Sequence, residues 1–105
     1  MPTLTSKQRA HLRSLAHALK PIARVGKEGV TPAAIRSLQQ TFDTHELVKV
    51  RVLESAPEEA RETGHALAAG ITGAKVVQTV GRMVTIYRAD PEAPTIRLPA
   101  AGGSS

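Results

Sequence analysis

A short glycine loop placed directly before a strongly signalled helix start constrains this chain more than any other feature. The loop, Gly26-Lys27-Glu28-Gly29, follows an apolar stretch, Ile22 to Val25, that is typical of a short strand. After the loop, Thr31 has the position of a helix cap and Pro32 that of the first helical residue. A strand joined to a helix by so few residues is the start of a βα unit, so the sequence predicts an α/β domain.

The same junction suits a phosphate group. Glycines at both ends of the loop allow the backbone to lie close to another molecule, and a helix start offers unpaired N–H groups and a partial positive charge. Lys27 lies at the tip of the loop and Arg24 just before it. The loop therefore favours an anionic partner, although a plain structural turn is the simpler interpretation of two glycines alone.

Hydrophobic periodicity predicts three helices and four strands. The first helix is predicted from Thr5 to Leu19, with capping-box spacing at Thr5 and Gln8, and the strand 22–25 follows it. The second helix begins at Thr31 and buries Ile35, Leu38 and Phe42, and a strand from Leu47 to Leu53 comes next. The third helix runs from 55–58 to Gly70 and buries Ala60, Leu67 and Ala68, and a hairpin of strands 74–80 and 83–88 ends the fold. Right-handed crossovers through the second and third helices imply a partly parallel sheet. The predicted fold is a small two-layer α/β sandwich of order α-β-α-β-α-β-β with a four-stranded mixed sheet.

A length of 105 residues fits one domain. We expect the domain to span residues 1–98 and the proline-containing end, residues 99–105, to be a flexible tail. The chain has no cysteine, and no stretch has the length or apolar character of a signal peptide or a membrane span. A cytoplasmic protein without a membrane partner is the expectation.

Positive charge is concentrated at the start of the chain. The first 29 residues hold six basic side chains against the single acid Glu28; they are Lys7, Arg9, Arg13, Lys20, Arg24 and Lys27. On a helical wheel Arg9, Arg13, His17 and Lys20 fall on one flank of the first helix. A continuous basic flank beside a phosphate-sized loop indicates a nucleic acid backbone as the partner.

The aromatic content indicates how such a partner would be bound. RNA-binding modules that read bases by stacking need exposed rings, and this chain has only Phe42 and Tyr87. Phe42 has the spacing of a core residue, which leaves Tyr87, at the end of the last strand, as the remaining candidate or as a plain edge residue. We therefore expect contacts mainly to phosphate and sugar.

No arrangement of residues predicts catalysis, a metal or a cofactor. The four histidines, His11, His17, His45 and His65, do not form a pair four residues apart, and no thiol is present to assist them. Nucleophile elbows and Walker loops are also absent from the sequence. The sequence predicts a protein that is not an enzyme. A phosphate-ester enzyme with the glycine loop as its phosphate site would need a nucleophile, a base and a metal cage, and the sequence offers none of them.

Several blocks in order resemble a known family. They are Ser6-Lys7-Gln8, His11-Leu12, Leu15-Ala16-His17, Leu19-Lys20-Pro21, the glycine loop, His45-Glu46-Leu47-Val48-Lys49-Val50, and Gly81 followed by Tyr87-Arg88. Together, between about Leu4 and Leu98, these blocks resemble the CRM domain (chloroplast RNA splicing and ribosome maturation) in its bacterial single-domain, YhbY-like form. The resemblance implies an RNA-binding domain with a fold like the C-terminal domain of translation initiation factor three.

The resemblance also implies a site and a partner. RNA contacts would fall on the loop residues Gly26, Lys27, Glu28 and Gly29 and on the neighbouring Arg24, Arg9, Arg13, His17 and Lys20. The partner would be precursor rRNA or a precursor of the large (50S) ribosomal subunit. The alternative is a protein-interaction module that docks on a ribosomal protein or a processing enzyme through the acids of the third helix, Glu58, Glu59 and Glu62.

Overall fold

A computed structural model describes residues 4–92 and 94–99. It contains α1 (Ser6–Ala16), β1 (Ala23–Val25), α2 (Pro32–Thr41), β2 (Leu47–Val52), α3 (Ala60–Ala69), β3 (Lys75–Val80) and β4 (Met83–Tyr87). The predicted order α-β-α-β-α-β-β is confirmed. Within the described residues, no helix is long and apolar enough to cross a bilayer.

The four strands form one mixed sheet in the order β1-β2-β4-β3. β1 and β2 are parallel and are connected through α2, while β4 pairs with both β2 and β3 in antiparallel fashion. β4 therefore lies between β2 and β3, the two strands that α3 connects. The predicted mixed α/β fold is confirmed.

The helices are distributed over both faces of the sheet. Leu38 of α2 and Leu67 of α3 pack with Val48, Val50 and other residues on one face. On the other face, Leu12 and Ala16 of α1 pack over Leu47, Val77 and Tyr87. The sheet together with α2 and α3 forms the two layers that the sequence predicts. Helix α1 forms a third layer, because its apolar residues cover the opposite face of the sheet.

Local signals explain most element boundaries. The capping box of α1 is present, since Gln8 N–H donates to the Thr5 hydroxyl and Gln8 Oε1 accepts from Thr5 N–H. Thr31 caps α2 by accepting from Ala34 N–H, and Pro32 is the first helical residue, as predicted. α1 ends at Ala16 rather than at Leu19, where the expectation was wrong, because the chain tightens there and Leu19 N–H donates to the Ala16 carbonyl.

The third helix begins later than predicted and packs more closely on the sheet. It starts at Ala60, after Glu59 as its cap residue, and buries Thr63 and Gly64, whereas Ala68 is only half-buried. A Cβ on Gly64 would lie 2.5 Å from Val84 Cγ1, so a glycine is needed for α3 to approach β4.

The segment after β4 packs beside α1, and the N–H groups of Thr95 and Ile96 donate to the Glu46 carboxylate. Ile96 and Leu98 pack against the cluster of Leu12 and Tyr87, and the Gln8 side chain donates to the Pro99 carbonyl over 2.9 Å. The expected tail, residues 99–105, lies outside the described residues except for Pro99, and the domain boundary at residue 98 stays a prediction.

Candidate nucleic-acid interface

The glycine loop closes as a tight turn at the carboxyl end of β1. Gly29 N–H donates to the Gly26 carbonyl over 2.9 Å, which leaves the Lys27 and Glu28 side chains exposed at the tip. Gly29 N–H therefore already donates a hydrogen bond within the protein, and so does Ala34 N–H in the first turn of α2, which donates to the Thr31 hydroxyl. Within the described residues, the backbone N–H groups of Lys27 and Glu28 form no hydrogen bond, so these two amides can meet an anion.

The two glycines of the loop are held by different constraints. Gly29 has φ +70°, and a Cβ there would lie 2.9 Å from Pro57 Cγ. Gly26 has no positive φ, and a Cβ there would make only ordinary contacts with Leu53 and Ser55. The structure requires glycine at Gly29, whereas at Gly26 it leaves space for a side chain.

One flank of the loop is acidic. The loop packs against the connection between β2 and α3, which carries Glu54, Glu58 and Glu59, all exposed. Glu54 pairs with Arg82 of the β3–β4 turn at 3.7 Å. Glu28 pairs with no cation among the residues described. An RNA backbone would be repelled on this flank and would approach the loop from its other side.

The other flank of the loop is basic, and it includes two side chains of β2 besides the predicted Arg24. Arg24 on β1 stands directly beside Arg51 on β2, and Lys49 lies one step further along the same face. Like charges side by side on neighbouring strands destabilise a sheet unless an anion neutralises them. In the described part of the chain, neither arginine has an acidic partner. The alternation of β2 indicated that Lys49 and Arg51 share a face, but only the pairing with β1 places them beside Arg24.

The end of α1 extends this charged surface. Arg13, His17 and Lys20 are exposed, and Arg13 and His17 line a groove together with Lys49. Lys49 Nζ donates to the Leu19 carbonyl over 3.1 Å and so ties the chain after α1 to β2. We call this surface the basic face; it consists of Arg13, His17, Lys20, Arg24, Lys49 and Arg51.

Arg9 does not share the exposure expected of the basic flank. Its Nη1 atom donates to the carbonyls of Val76 and Val77, at 2.8 and 2.6 Å, and the side chain is half-buried. These carbonyls lie where the register of β3 shifts between Val76 and Gln78. Arg9 therefore fastens α1 to an irregular strand, and the guanidinium is turned away from the position that its helical phase predicted.

Neither aromatic ring is available for stacking. Phe42 is 2% exposed, as predicted, and Tyr87 is 5% exposed under α1. Both sequence interpretations of Tyr87, a stacking platform or an edge residue, are wrong, because β4 is an interior strand and α1 covers this end of it. Burial, and secondly the charge of Glu46, raise the pKa of Tyr87 above its ordinary value of 10.0.

Comparisons with known proteins identify the family of this chain. Residues 4–88 match the family model of the CRS1 / YhbY (CRM) domain. The chain is 38% identical over 96 residues to "Probable RNA-binding protein YqeI" of Bacillus subtilis, covering 91% of this chain and 99% of that protein. An "RNA-binding protein" of Haemophilus influenzae is 36% identical over 102 residues, covering 94% and 98%.

A solved structure supports both the fold and the family. The solution structure of SAV1595 from Staphylococcus aureus, a candidate RNA-binding protein, has a TM-score of 0.76 and 38% identity, and it covers 92% of this chain and 100% of that one. The chain belongs to the CRS1 / YhbY (CRM) domain family.

Proposed function

We propose that this protein is a non-catalytic RNA-binding protein that holds the sugar–phosphate backbone on its basic face and glycine loop. The observation that carries the proposal is the pair of Arg24 and Arg51, which stand in register next to the loop and have no acidic partner among the described residues. The burial of both aromatic rings supports backbone contacts rather than base stacking as the main source of affinity. Relatives named as RNA-binding proteins support the same class of partner.

The finer proposal is that the RNA is precursor rRNA and that the protein acts in the cytoplasm during assembly of the large (50S) subunit. Its support is the family resemblance of the ordered sequence blocks. A domain that binds mainly phosphates selects RNA by shape, and an assembling subunit presents many structured helices. A contact with a ribosomal protein would add selectivity that the charges alone do not supply.

Sedimentation of gently lysed host cells on a low-salt gradient tests this proposal. We expect the wild type to migrate with particles slightly lighter than the mature large subunit. The double variant Gly26→Asp/Lys27→Ala should stay at the top of the gradient, because it places a carboxylate where a phosphate would lie and removes a cation. A Cβ at Gly26 makes only ordinary contacts, and a circular dichroism spectrum equal to that of wild type would show that the variant is folded.

Two outcomes would contradict the finer proposal. Wild type and variant that both stay at the top would exclude stable binding to large-subunit precursors. Co-migration that survives nuclease but fails when Glu58, Glu59 and Glu62 are changed to lysine would support the alternative, a protein-docking module, since these acids are exposed at the start of α3.

A further inference from the structure

A groove in the middle of the basic face has a lining unlike that of a phosphate site. It lies between the end of α1 and the exposed half of the sheet, and its volume is about 210 Å³. Arg13 and His17 form the α1 side, and Lys49 lies on the sheet side. The rest of the lining comes from the hairpin of β3 and β4 and carries no charge.

The hairpin side of the groove combines an amide with apolar groups. Gln78 on β3 is partly exposed and lines the groove together with Met83 and Val80, whereas its paired residue on β4, Thr85, is only 1% exposed. Val80 is 61% exposed, which makes it an apolar side chain open to solvent on a face of cations. The Gln78 amide both donates and accepts hydrogen bonds, whereas a phosphate needs only donors.

An irregularity in β3 places Gln78 in this position. The register of β3 against β4 shifts between Val76 and Gln78, so that Val77 and Gln78 are both directed to the α1 side of the sheet. Val77 is buried under α1, and Gln78 lines the groove. Arg9 holds the irregularity by donating to two of its carbonyls. Bulges of this kind re-aim side chains next to binding sites.

The size and chemistry of the groove fit one flat heterocycle. Its volume lies below the range of about 300–1,000 Å³ typical of sites for larger ligands. The edge of a nucleobase presents donors and acceptors to an amide, and its faces suit apolar side chains, an imidazole or a guanidinium. A base inside a duplex is stacked and paired, so only an unpaired base can enter.

We propose that this groove binds a single unpaired nucleobase of an RNA whose flanking phosphates lie on the basic face. The inference rests on the proposed RNA-binding function and deepens it, since it names the RNA feature that is recognised: a bulged or looped-out nucleotide beside a helix. The Gln78 amide hydrogen-bonds the edge of the base, Val80 and Met83 contact its faces, and Arg13 and His17 flank it on the α1 side.

Equilibrium binding to three RNA hairpins tests the inference. One stem is fully paired, the second carries a single bulged nucleotide, and the third carries an abasic site at the bulge. We expect wild type to bind the bulged stem about five- to tenfold more tightly than the other two, which corresponds to one or two well-formed contacts. The comparison of bulged and abasic RNA uses the wild-type protein, so a folding defect of a variant cannot explain a difference in affinity.

Variants then assign the preference to the groove. Gln78→Ala should reduce the preference for the bulged stem to about two-fold or less and leave affinity for the paired stem unchanged. Gln39→Ala, at an exposed glutamine on α2, is the matched control and should keep the full preference. A wild type that binds all three RNAs equally would overturn the inference alone, whereas a wild type that binds none of them would overturn the proposed function as well.

Discussion

At the scale of single residues, the glycine loop separates structural from functional requirements. Gly29 adopts a conformation that side chains rarely take and packs on Pro57, so it holds the turn. Among the described residues Gly26 and Lys27 carry no such constraint, so the proposed RNA ligand would account for a small residue and a cation there. The loop can therefore be changed at one end without loss of the fold.

We predict that Gly29→Ala destabilises the protein and that Gly26→Ala does not. The first change requires a positive φ for alanine, costing about 1–2 kcal/mol, and adds a clash with Pro57. The second meets only ordinary contacts. Urea denaturation of the two variants measures the difference, and equal losses of stability would contradict this account of the loop.

Arg9 is predicted to act on stability rather than on RNA binding. Arg9→Ala removes two charge-assisted hydrogen bonds to β3, and we expect a loss of about 1–3 kcal/mol in the free energy of unfolding. The slope of RNA affinity against salt should stay near that of wild type, whereas Arg13→Ala should reduce it by about 1. A reduced slope with unchanged stability for Arg9→Ala would show that the side chain contacts RNA.

At the scale of elements, the C-terminal segment is fastened by one buried carboxylate. Glu46 precedes β2 and accepts hydrogen bonds from the N–H groups of Asp90 (2.6 Å), Thr95 (2.9 Å) and Ile96 (2.7 Å), and from the Thr95 hydroxyl (2.7 Å). Burial opposes ionisation of Glu46, but these hydrogen bonds outweigh it and lower its pKa. The charged carboxylate therefore stabilises the packing of residues 94–98 over α1.

The pH dependence of stability should follow from Glu46. Since folding lowers its pKa below the ordinary value of 4.5, its contribution is complete above that pH and is lost as the pH falls through the lower folded value. We predict that Glu46→Gln is less stable than wild type at pH 7 and that the difference shrinks under strongly acidic conditions. Hydrogen exchange at the Thr95 and Ile96 amides should accelerate in the variant. An unchanged difference at all pH values would contradict the assignment.

Helix starts that are marked by capping residues could be predicted from the sequence. Contacts that depend on which strands and helices lie next to one another could not. Thr5 with Gln8, and Thr31 with Pro32, fixed two helix starts because caps act within one turn. The sequence could not show that α1 covers the second face of the sheet, that Arg9 turns to β3, or that Tyr87 lies beneath α1, since each depends on strand order. The alternation of β2 predicted that Lys49 and Arg51 share a polar face. Only the pairing of β1 with β2 shows that this face lies beside Arg24 in the candidate site.

At the scale of the whole molecule, charge is polarised across the domain. The basic face lies on the α1 side of the sheet, whereas exposed acids, Glu54, Glu58 and Glu59, lie in the connection that leads to α3. Such a distribution orients an approaching polyanion and limits its contacts to one side. The net charge of +5 alone would not do so.

RNA affinity is predicted to depend strongly on salt. With about three to five phosphate contacts on the basic face and loop, a plot of log affinity against log salt should have a slope of roughly −2 to −4.5. Titrations of a structured RNA at several salt concentrations measure it. An affinity independent of salt would contradict backbone binding.

The most direct measurement of the central claim compares two double variants with equal loss of charge. Arg24→Ala/Arg51→Ala removes the paired arginines of the basic face, and Arg36→Ala/Arg61→Ala removes two exposed arginines from α2 and α3 on the other side of the sheet. In equilibrium binding of a structured RNA, we predict that the first variant loses about tenfold or more in affinity and that its salt slope falls by about 2. The second variant should bind nearly as wild type does. Equal losses in the two variants would show that net charge, and not this face, binds the RNA.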